Sequence, residues 1–165
     1  IYKLQVPDEA MDFGEMKTIL AHLSRGDWTL VLDGDEMIQS LVDLHDLIND
    51  PRYGVWRMPR YRWADLEMTT QLEIEAFPDW QYRLFRNDGL SHYVEPLHER
   101  FVTPHNIGDC DVAALHHFVD PLHLGDSERV ARRKRLYARL AAKAGKAPEG
   151  SAEAMRLAEG IVPHG

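Results

Sequence analysis

Three acidic residues follow an apolar run near the start of the chain. The run Trp28–Leu32 is typical of a buried strand, and it ends in Asp33, Gly34, Asp35 and Glu36. Open α/β sheets bind their ligands beyond the carboxyl ends of the strands, where these acids would lie. Asp33 and Asp35 are two residues apart, so both side chains would point the same way in extended backbone. Two convergent carboxylates need a cation, or one of them must be protonated. A hard divalent ion such as Mg²⁺ or Mn²⁺ suits such oxygen ligands.

A second interpretation of the same residues is purely structural. Asp-Gly-Asp is also a common turn, and Asp35 and Glu36 would favour the positive end of a helix that begins there. Spacing alone does not decide between the turn and the metal site.

Apolar residues recur with helical spacing on both sides of this strand. The preceding set is Met16, Ile19, Leu20 and Leu23, and the following set is Met37, Leu41, Leu44 and Ile48. Helix, strand and helix with short connections predict an α/β protein.

The middle of the chain predicts further strands. Residues 53–63 are rich in aromatic and basic side chains and predict an extended segment, in which Pro59 favours an edge or a bulge. Alternation around Trp80, Tyr82 and Leu84 predicts another strand. Weaker candidates are 99–102 and 112–118, and 127–144 predicts a basic helix. We therefore divide the chain into a core, 1–125, and a C-terminal helical extension, 126–165.

Charge and cysteine content limit the class of protein. A formal net charge of -8 over 165 residues argues against nonspecific nucleic-acid binding, which needs a basic surface. Cys110 is the only cysteine, so no internal disulfide is possible and a reducing, cytoplasmic location is expected. No apolar run reaches the roughly 18 residues that a membrane span requires.

Four segments together resemble one protein family. Trp-x-Leu-Val-Leu-Asp-Gly-Asp-Glu (28–36) closely resembles the strand that carries the DxD motif of family 2 glycosyltransferases, which have the GT-A fold. Residues 80–86 resemble the family's Trp-x-x-Arg-Leu-Phe-Arg segment, and 94–99 resemble its Val-His-Glu element. Residues 115–118 resemble its strand that ends in His and an aromatic residue. The four segments occur in family order within 9–137, so the resemblance implies a GT-A-like fold, with a mixed sheet flanked by helices.

The resemblance assigns the metal site. Asp33 and Asp35 would hold Mn²⁺ or Mg²⁺ on the diphosphate of a nucleotide sugar, and Asp33 would also contact the substrate. His117 matches the family's further metal ligand better than His116, because Phe118 follows it. Neighbouring residues of a strand face opposite sides, so only one of the two histidines can join the site.

The resemblance also assigns the remaining site residues. Glu99 would take the proton from the acceptor hydroxyl, with His98 beside it in the same element and Glu95 as a weaker competitor. The substrate-binding residues on the acceptor side would be Trp80, Arg83 and Arg86. The implied reaction is an inverting transfer of a sugar from a nucleotide-sugar donor to a carbohydrate, lipid-linked or protein acceptor.

Two departures from the family pattern suggest an alternative function. Lys17-Thr18 stands where the family usually has Arg-Asn, and the N-terminal βαβ segment that holds the nucleotide is not found ahead of the first helix. Either the chain is a fragment, or another chain supplies that half, or the chain no longer transfers sugar. The alternative is a noncatalytic module that binds carbohydrate or protein through its aromatic and arginine surface. A glycosidase would need two carboxyl groups about 5 to 9 Å apart across a sugar, and nothing in the sequence places them so.

Overall fold

The computed structural model describes residues 12–41, 44–72, 78–118 and 127–145. The helices are α1 (Phe13–His22), α2 (Leu44–Asn49) and α3 (Ser127–Lys143). The strands are β1 (Trp28–Leu30), β2 (Glu36–Ile38), β3 (Val55–Trp63), β4 (Asp79–Arg86), β5 (His92–Val94), β6 (Arg100–Val102), β7 (Ile107–Asp109) and β8 (Leu115–Phe118). The protein is therefore mixed α/β, as the sequence predicts.

The chain divides into two compact units. One, which we call the sheet unit, contains the described residues within 17–92 and 101–121. The other, the helix unit, contains 12–16, 93–100 and 127–145. The domain boundary predicted after residue 125 lies outside the described residues and stays a prediction. Within the described ranges, no helix is long and apolar enough to cross a membrane.

A six-stranded mixed sheet forms the sheet unit. Its strand order is β1-β4-β3-β8-β2, and β7 pairs with the first part of β3. β3 runs antiparallel to β4 and parallel to both β7 and β8. The pairing with β7 ends at Arg57 and that with β8 begins at Arg60, so Pro59 lies in the gap between them. Because proline has no N–H to donate, this gap in the pairing accommodates Pro59 inside a central strand. The sequence instead favoured an edge or a bulge at this position.

The apolar core of the sheet unit packs α2 against one face of the sheet. Its buried residues are Leu44, Leu47, Trp56, Met58, Leu84, Cys110, Ala113 and Leu115. The indole N–H of Trp56 donates to the Leu47 carbonyl at 3.0 Å, which satisfies its polar atom inside the core. A Cβ at Gly108 of β7 would lie 2.5 Å from the Trp56 ring, so only glycine allows β7 to lie this close.

The helix predicted to start at Met37 is wrong in its first half. Residues 36–38 form β2, which pairs antiparallel with β8, and the helix begins only at Leu44. Leu44 and Ile48 pack on the core, but Met37 is 43% exposed and Leu41 64% exposed. The helical spacing predicts α2 correctly at Leu44 and Ile48 but not the conformation of 36–38, because pairing with β8 determines that segment.

The strand predicted over 28–32 ends earlier, at Leu30. The Val31 N–H still donates to the Arg83 carbonyl at 2.8 Å, but Gly34 and Asp35 form a turn in which the Glu36 N–H donates to the Asp33 carbonyl at 3.0 Å. The backbone from Asp33 to Asp35 is therefore not extended, and the argument that both carboxylates point the same way does not hold. The turn of the structural interpretation is present, but a strand follows it and not a helix.

The helix unit is built around α3. Its core contains Leu97, Leu140 and Ala141, with Phe13, Leu136 and Tyr137 packed against it. Asp12 caps α1 by accepting a hydrogen bond from the Glu15 N–H at 3.0 Å, and its other oxygen accepts a hydrogen bond from Lys143 Nζ at 2.9 Å. Burial opposes the charged form of Asp12, but these two partners outweigh it and lower its pKa below the ordinary 3.8.

Replacement of Asp12 tests how α1 is held. We expect Asp12→Ala to lower the free energy of unfolding by about 1 kcal/mol through loss of the cap, and Asp12→Asn to lower it less, because an amide still accepts from Glu15. The folded-state pKa of Asp12 is depressed, so the stability linked to its charge is present above pH 3.8 and is lost as the pH falls through the lower folded value. Urea titrations at pH 7 and at pH 3 should show the gap between wild type and Asp12→Asn narrowing at the lower pH. A gap that widens in acid would contradict this account.

Candidate active site

Arg83 is the extra residue of a β-bulge in β4. The pairing passes from Arg57 opposite Tyr82 to Trp56 opposite Leu84, so Arg83 has no residue opposite it in β3. A bulge redirects the side chain of the extra residue. Arg83 is only 2% exposed, and its guanidinium meets the carboxylates that follow β1.

Arg83 joins two of the three acidic residues of the turn. Its Nη2 donates to Asp33 Oδ2 at 2.7 Å and to Glu36 Oε1 at 2.6 Å. The Glu36 carboxylate has no exposed surface, and its second oxygen accepts the Asp33 N–H at 3.1 Å. The Arg83–Glu36 pair therefore fixes the conformation of the turn from Asp33 to Glu36 as well as balancing its charge.

Further cations and one further acid complete what we call the ionic cluster: Lys17, Asp33, Glu36, Arg60, Asp79 and Arg83. Lys17 Nζ lies 3.0 Å from Asp33 Oδ1. Arg60 donates to Glu36 Oε1 at 3.2 Å and to Asp79 Oδ2 at 2.6 Å. Burial opposes the charged form of Asp33, but Arg83 and then Lys17 outweigh it, so the pKa of Asp33 is lowered.

Asp35 has a different partner from Asp33. Its Oδ2 lies 3.3 Å from His117 Nε2, and its backbone carbonyl accepts the Phe118 N–H at 3.0 Å. The hydrogen bond with His117 lowers the pKa of Asp35 and outweighs its partial burial. The predicted metal ligands Asp35 and His117 thus lie together, while Asp33 is held by Lys17 and Arg83.

The two neighbouring histidines of β8 have separate environments. His116 Nδ1 accepts a hydrogen bond from the Trp63 indole N–H at 2.8 Å, and its ring is nearly parallel to those of Tyr61 and Trp63, with each centroid 5.9 Å away. Burial lowers the pKa of His116, consistent with a neutral ring that accepts this hydrogen bond. Of the two, only His117 lies beside an acid of the turn.

The Asp35–His117 pair has donor atoms that fit a divalent cation. Their 3.3 Å separation is near the roughly 3 Å between adjacent ligands on an octahedral ion with bonds of about 2.1 Å. A carboxylate and an imidazole also suit Mn²⁺ chemically. His117 Nδ1 is buried and has no hydrogen-bond partner in the described part of the chain, although a metal-bound histidine usually donates from this atom. Among the described residues, no three His, Cys, Asp or Glu side chains form a metal site by themselves, so further ligands would have to come from a bound diphosphate or water.

The predicted acceptor-side residues make contacts within the sheet unit. The Trp80 ring lies 5.5 Å below the Arg57 guanidinium, which also covers Tyr82 and pairs with Asp109 at 2.7 Å. Arg86 stacks over Trp28 at 4.9 Å. In this structure the buried guanidinium of Arg83 binds the turn carboxylates and so positions them. The assignment of Arg83 to the acceptor side stays a prediction.

Glu99, His98 and Glu95 belong to the helix unit. His98 is exposed and Glu99 is partly exposed, and Glu95 Oε1 lies 3.4 Å from Arg100 Nε. Glu95 and His98 both have positive φ angles, 75° and 55°. Such angles are uncommon for residues other than glycine, so the segment that resembles Val-His-Glu has an unusual backbone.

Sequence reasoning did not find Lys17, Glu36, Arg60 and Asp79 as members of one cluster. An arginine between Tyr82 and Leu84 of a half-buried strand was the available signal, since a buried guanidinium requires carboxylate partners. Lys17 differs from the Arg-Asn pair of the family pattern, and the structure shows that this lysine supplies a cation to Asp33.

No family model matches this chain, and no curated protein matches it.

Removal of Arg83 should be costly, because it leaves the Glu36 carboxylate buried with one cation fewer. We expect Arg83→Met to lower the free energy of unfolding by about 3–5 kcal/mol. Arg86→Met is the matched control on the same strand. It removes a stacked arginine over Trp28 and should cost about 1 kcal/mol or less. Unfolding by guanidinium chloride, followed by tryptophan fluorescence, measures both free energies. Equal losses of unfolding free energy in the two variants would refute the special role of Arg83.

Proposed function

We propose that the chain is a GT-A-like domain, or most of one, of a metal-dependent family 2 glycosyltransferase. Its reaction would move a sugar from a nucleotide-sugar donor to an acceptor hydroxyl with inversion. The observation that carries the proposal is the pairing of Asp35 with His117 at the turn after β1, next to an Asp33 that Lys17 and Arg83 hold in place. The order of the four resembling segments in the sequence supports the same assignment.

Each residue of the turn has a separate task in this proposal. Asp35 and His117 would hold Mn²⁺ or Mg²⁺, which supplies positive charge for the departing nucleoside diphosphate. Lys17 and Arg83 keep the Asp33 carboxylate ionised and fixed, so Asp33 can act as a ligand without a conformational search. Glu36 does not touch the substrate, because it is fully buried; it holds the turn through Arg83.

Glu99 would act as the general base. The acceptor oxygen forms a bond to the anomeric carbon as the bond from that carbon to the diphosphate oxygen breaks, and the hydroxyl proton passes to the Glu99 carboxylate. One displacement gives inversion. Trp80 and Arg86 remain the candidates for contact with the acceptor, since part of each side chain is exposed.

Binding of metal and donor is the first test. Calorimetry with Mn²⁺ and a panel of nucleotide sugars should show donor binding that requires the metal. Asp35→Ala and His117→Ala should each weaken Mn²⁺ binding by about 10- to 100-fold or more, because each removes a donor atom. Asp46→Ala is the matched control, since this carboxylate is 96% exposed on α2 and lies outside the cluster. No binding by the wild type, or unchanged binding by Asp35→Ala, would end the transferase proposal.

The same experiment separates the alternative function. A noncatalytic carbohydrate-binding module would bind free oligosaccharides without Mn²⁺ and would be insensitive to Asp35→Ala. Trp80→Ala would abolish that binding.

The general base is tested by kinetics. We expect Glu99→Gln to lower kcat by about 10²- to 10⁴-fold and to leave donor KM and Mn²⁺ binding unchanged, because only proton transfer is lost. Release of nucleoside diphosphate in the presence of an acceptor mixture measures the rate. Glu95→Gln is the comparison, because it alters the competing carboxylate of the same segment. A larger loss with Glu95→Gln than with Glu99→Gln would reverse the assignment.

A further inference from the structure

The segment before Glu99 has a strained backbone. Glu95 and His98 occupy the left-handed region with φ angles of 75° and 55°, and neither is glycine. L-residues adopt this region at an energetic cost, because Cβ approaches the following carbonyl oxygen. Such a conformation persists only where the surroundings impose it.

The first turn of α1 is one of those surroundings. The Phe13 N–H donates to the Pro96 carbonyl at 3.2 Å. A Cβ at Gly14 would lie 2.5 Å from the Glu95 carbonyl oxygen and 2.9 Å from the Val94 carbonyl carbon. These neighbours are backbone atoms, which cannot rotate away as the end of a side chain can. The start of α1 therefore packs directly on the segment, and only glycine at position 14 permits the contact.

α3 holds the same segment through Leu97. This residue lies between the two strained positions and is 5% exposed, in one cluster with Leu140 and Ala141 of α3. Phe13 and Tyr137 pack against that cluster, with their ring centroids 6.4 Å apart. The segment thus has an apolar anchor at its centre and a backbone contact at its beginning.

We propose that Gly14 is a positioning residue that acts through Glu99. Close packing of α1 on residues 94–96 forces Glu95 into the left-handed conformation, and Leu97 anchors the turn that leads through His98 to Glu99. These backbone contacts determine the direction in which the Glu99 carboxylate points. Gly14 contributes through the absence of a Cβ, which lets α1 pack this close. This inference rests on the proposed function, because it assigns Gly14 to the reaction that Glu99 would serve.

Gly14→Ala tests the contact, with Glu15→Ala as the control in the same helical turn. We expect Gly14→Ala to accelerate amide hydrogen exchange in 95–99 and to lower kcat by about 100-fold, with donor KM unchanged, because a displaced base costs rate and not donor binding. Glu15→Ala should change neither quantity. Faster exchange together with an unchanged kcat would overturn the positioning role, and unchanged exchange would overturn the contact itself.

Glu95→Gly provides a second route if Gly14→Ala does not fold. It relieves the left-handed strain and adds no atom, so Tm should be maintained or rise. Glu95→Gln is the reference, because it also removes the Glu95 carboxylate but keeps the left-handed strain. A merely structural segment would give Glu95→Gly the kcat of Glu95→Gln, whereas a positioning segment should make it about 10- to 100-fold lower, since the imposed direction is released. Equal kcat values in Glu95→Gly and Glu95→Gln overturn the proposal.

Failure of the proposed function gives a different result. A wild-type protein that transfers no sugar contradicts the proposed glycosyltransferase function. Amide hydrogen exchange in 95–99 still tests whether Gly14 lets α1 pack on this segment. Faster exchange in Gly14→Ala but not in Glu15→Ala then supports the contact, and equal exchange in both overturns it.

Discussion

The buried pairing of Arg83 with Glu36 is the constraint on which the candidate site depends. A carboxylate without exposed surface is tolerated only with cations and hydrogen-bond donors around it, and Glu36 has Arg83, Arg60 and the Asp33 N–H. These contacts connect the turn after β1 to the two central strands. The turn that carries Asp33 and Asp35 is therefore held to the sheet by buried ion pairs and hydrogen bonds.

The ionic cluster makes the carboxylates of Asp33 and Asp35 unequal. Asp33 receives Lys17 and Arg83, which keep it ionised but also satisfy much of its charge. Asp35 has His117 and is more than half exposed. The more accessible carboxylate is thus the one that lies beside an imidazole.

The local patterns predicted most strands but not their partners. β3 follows from a run rich in aromatic and basic residues, and β4 follows from alternation around Trp80, Tyr82 and Leu84, since both patterns are local properties of the chain. Glu36–Ile38 was mistaken for helix because its pairing with His117 and Leu115 comes from about eighty residues away. The ionic cluster was missed for the same reason: only the folded sheet brings Arg60 and Arg83 to Glu36, and Asp79 to Arg60. The proximity of Asp35 and His117 followed from resemblance and not from any spacing rule.

The bulge at Arg83 bears on which length changes β4 can tolerate. If Arg83 were deleted, the β3–β4 ladder would continue without interruption. The pair Tyr82–Arg57 would then be followed directly by the pair Leu84–Trp56. Strand geometry alone thus favours a chain one residue shorter. Electrostatics opposes it, because the shorter chain would bury Glu36 with one guanidinium fewer. The irregular ladder is the form in which β4 can both complete the sheet and neutralise the acid beneath it.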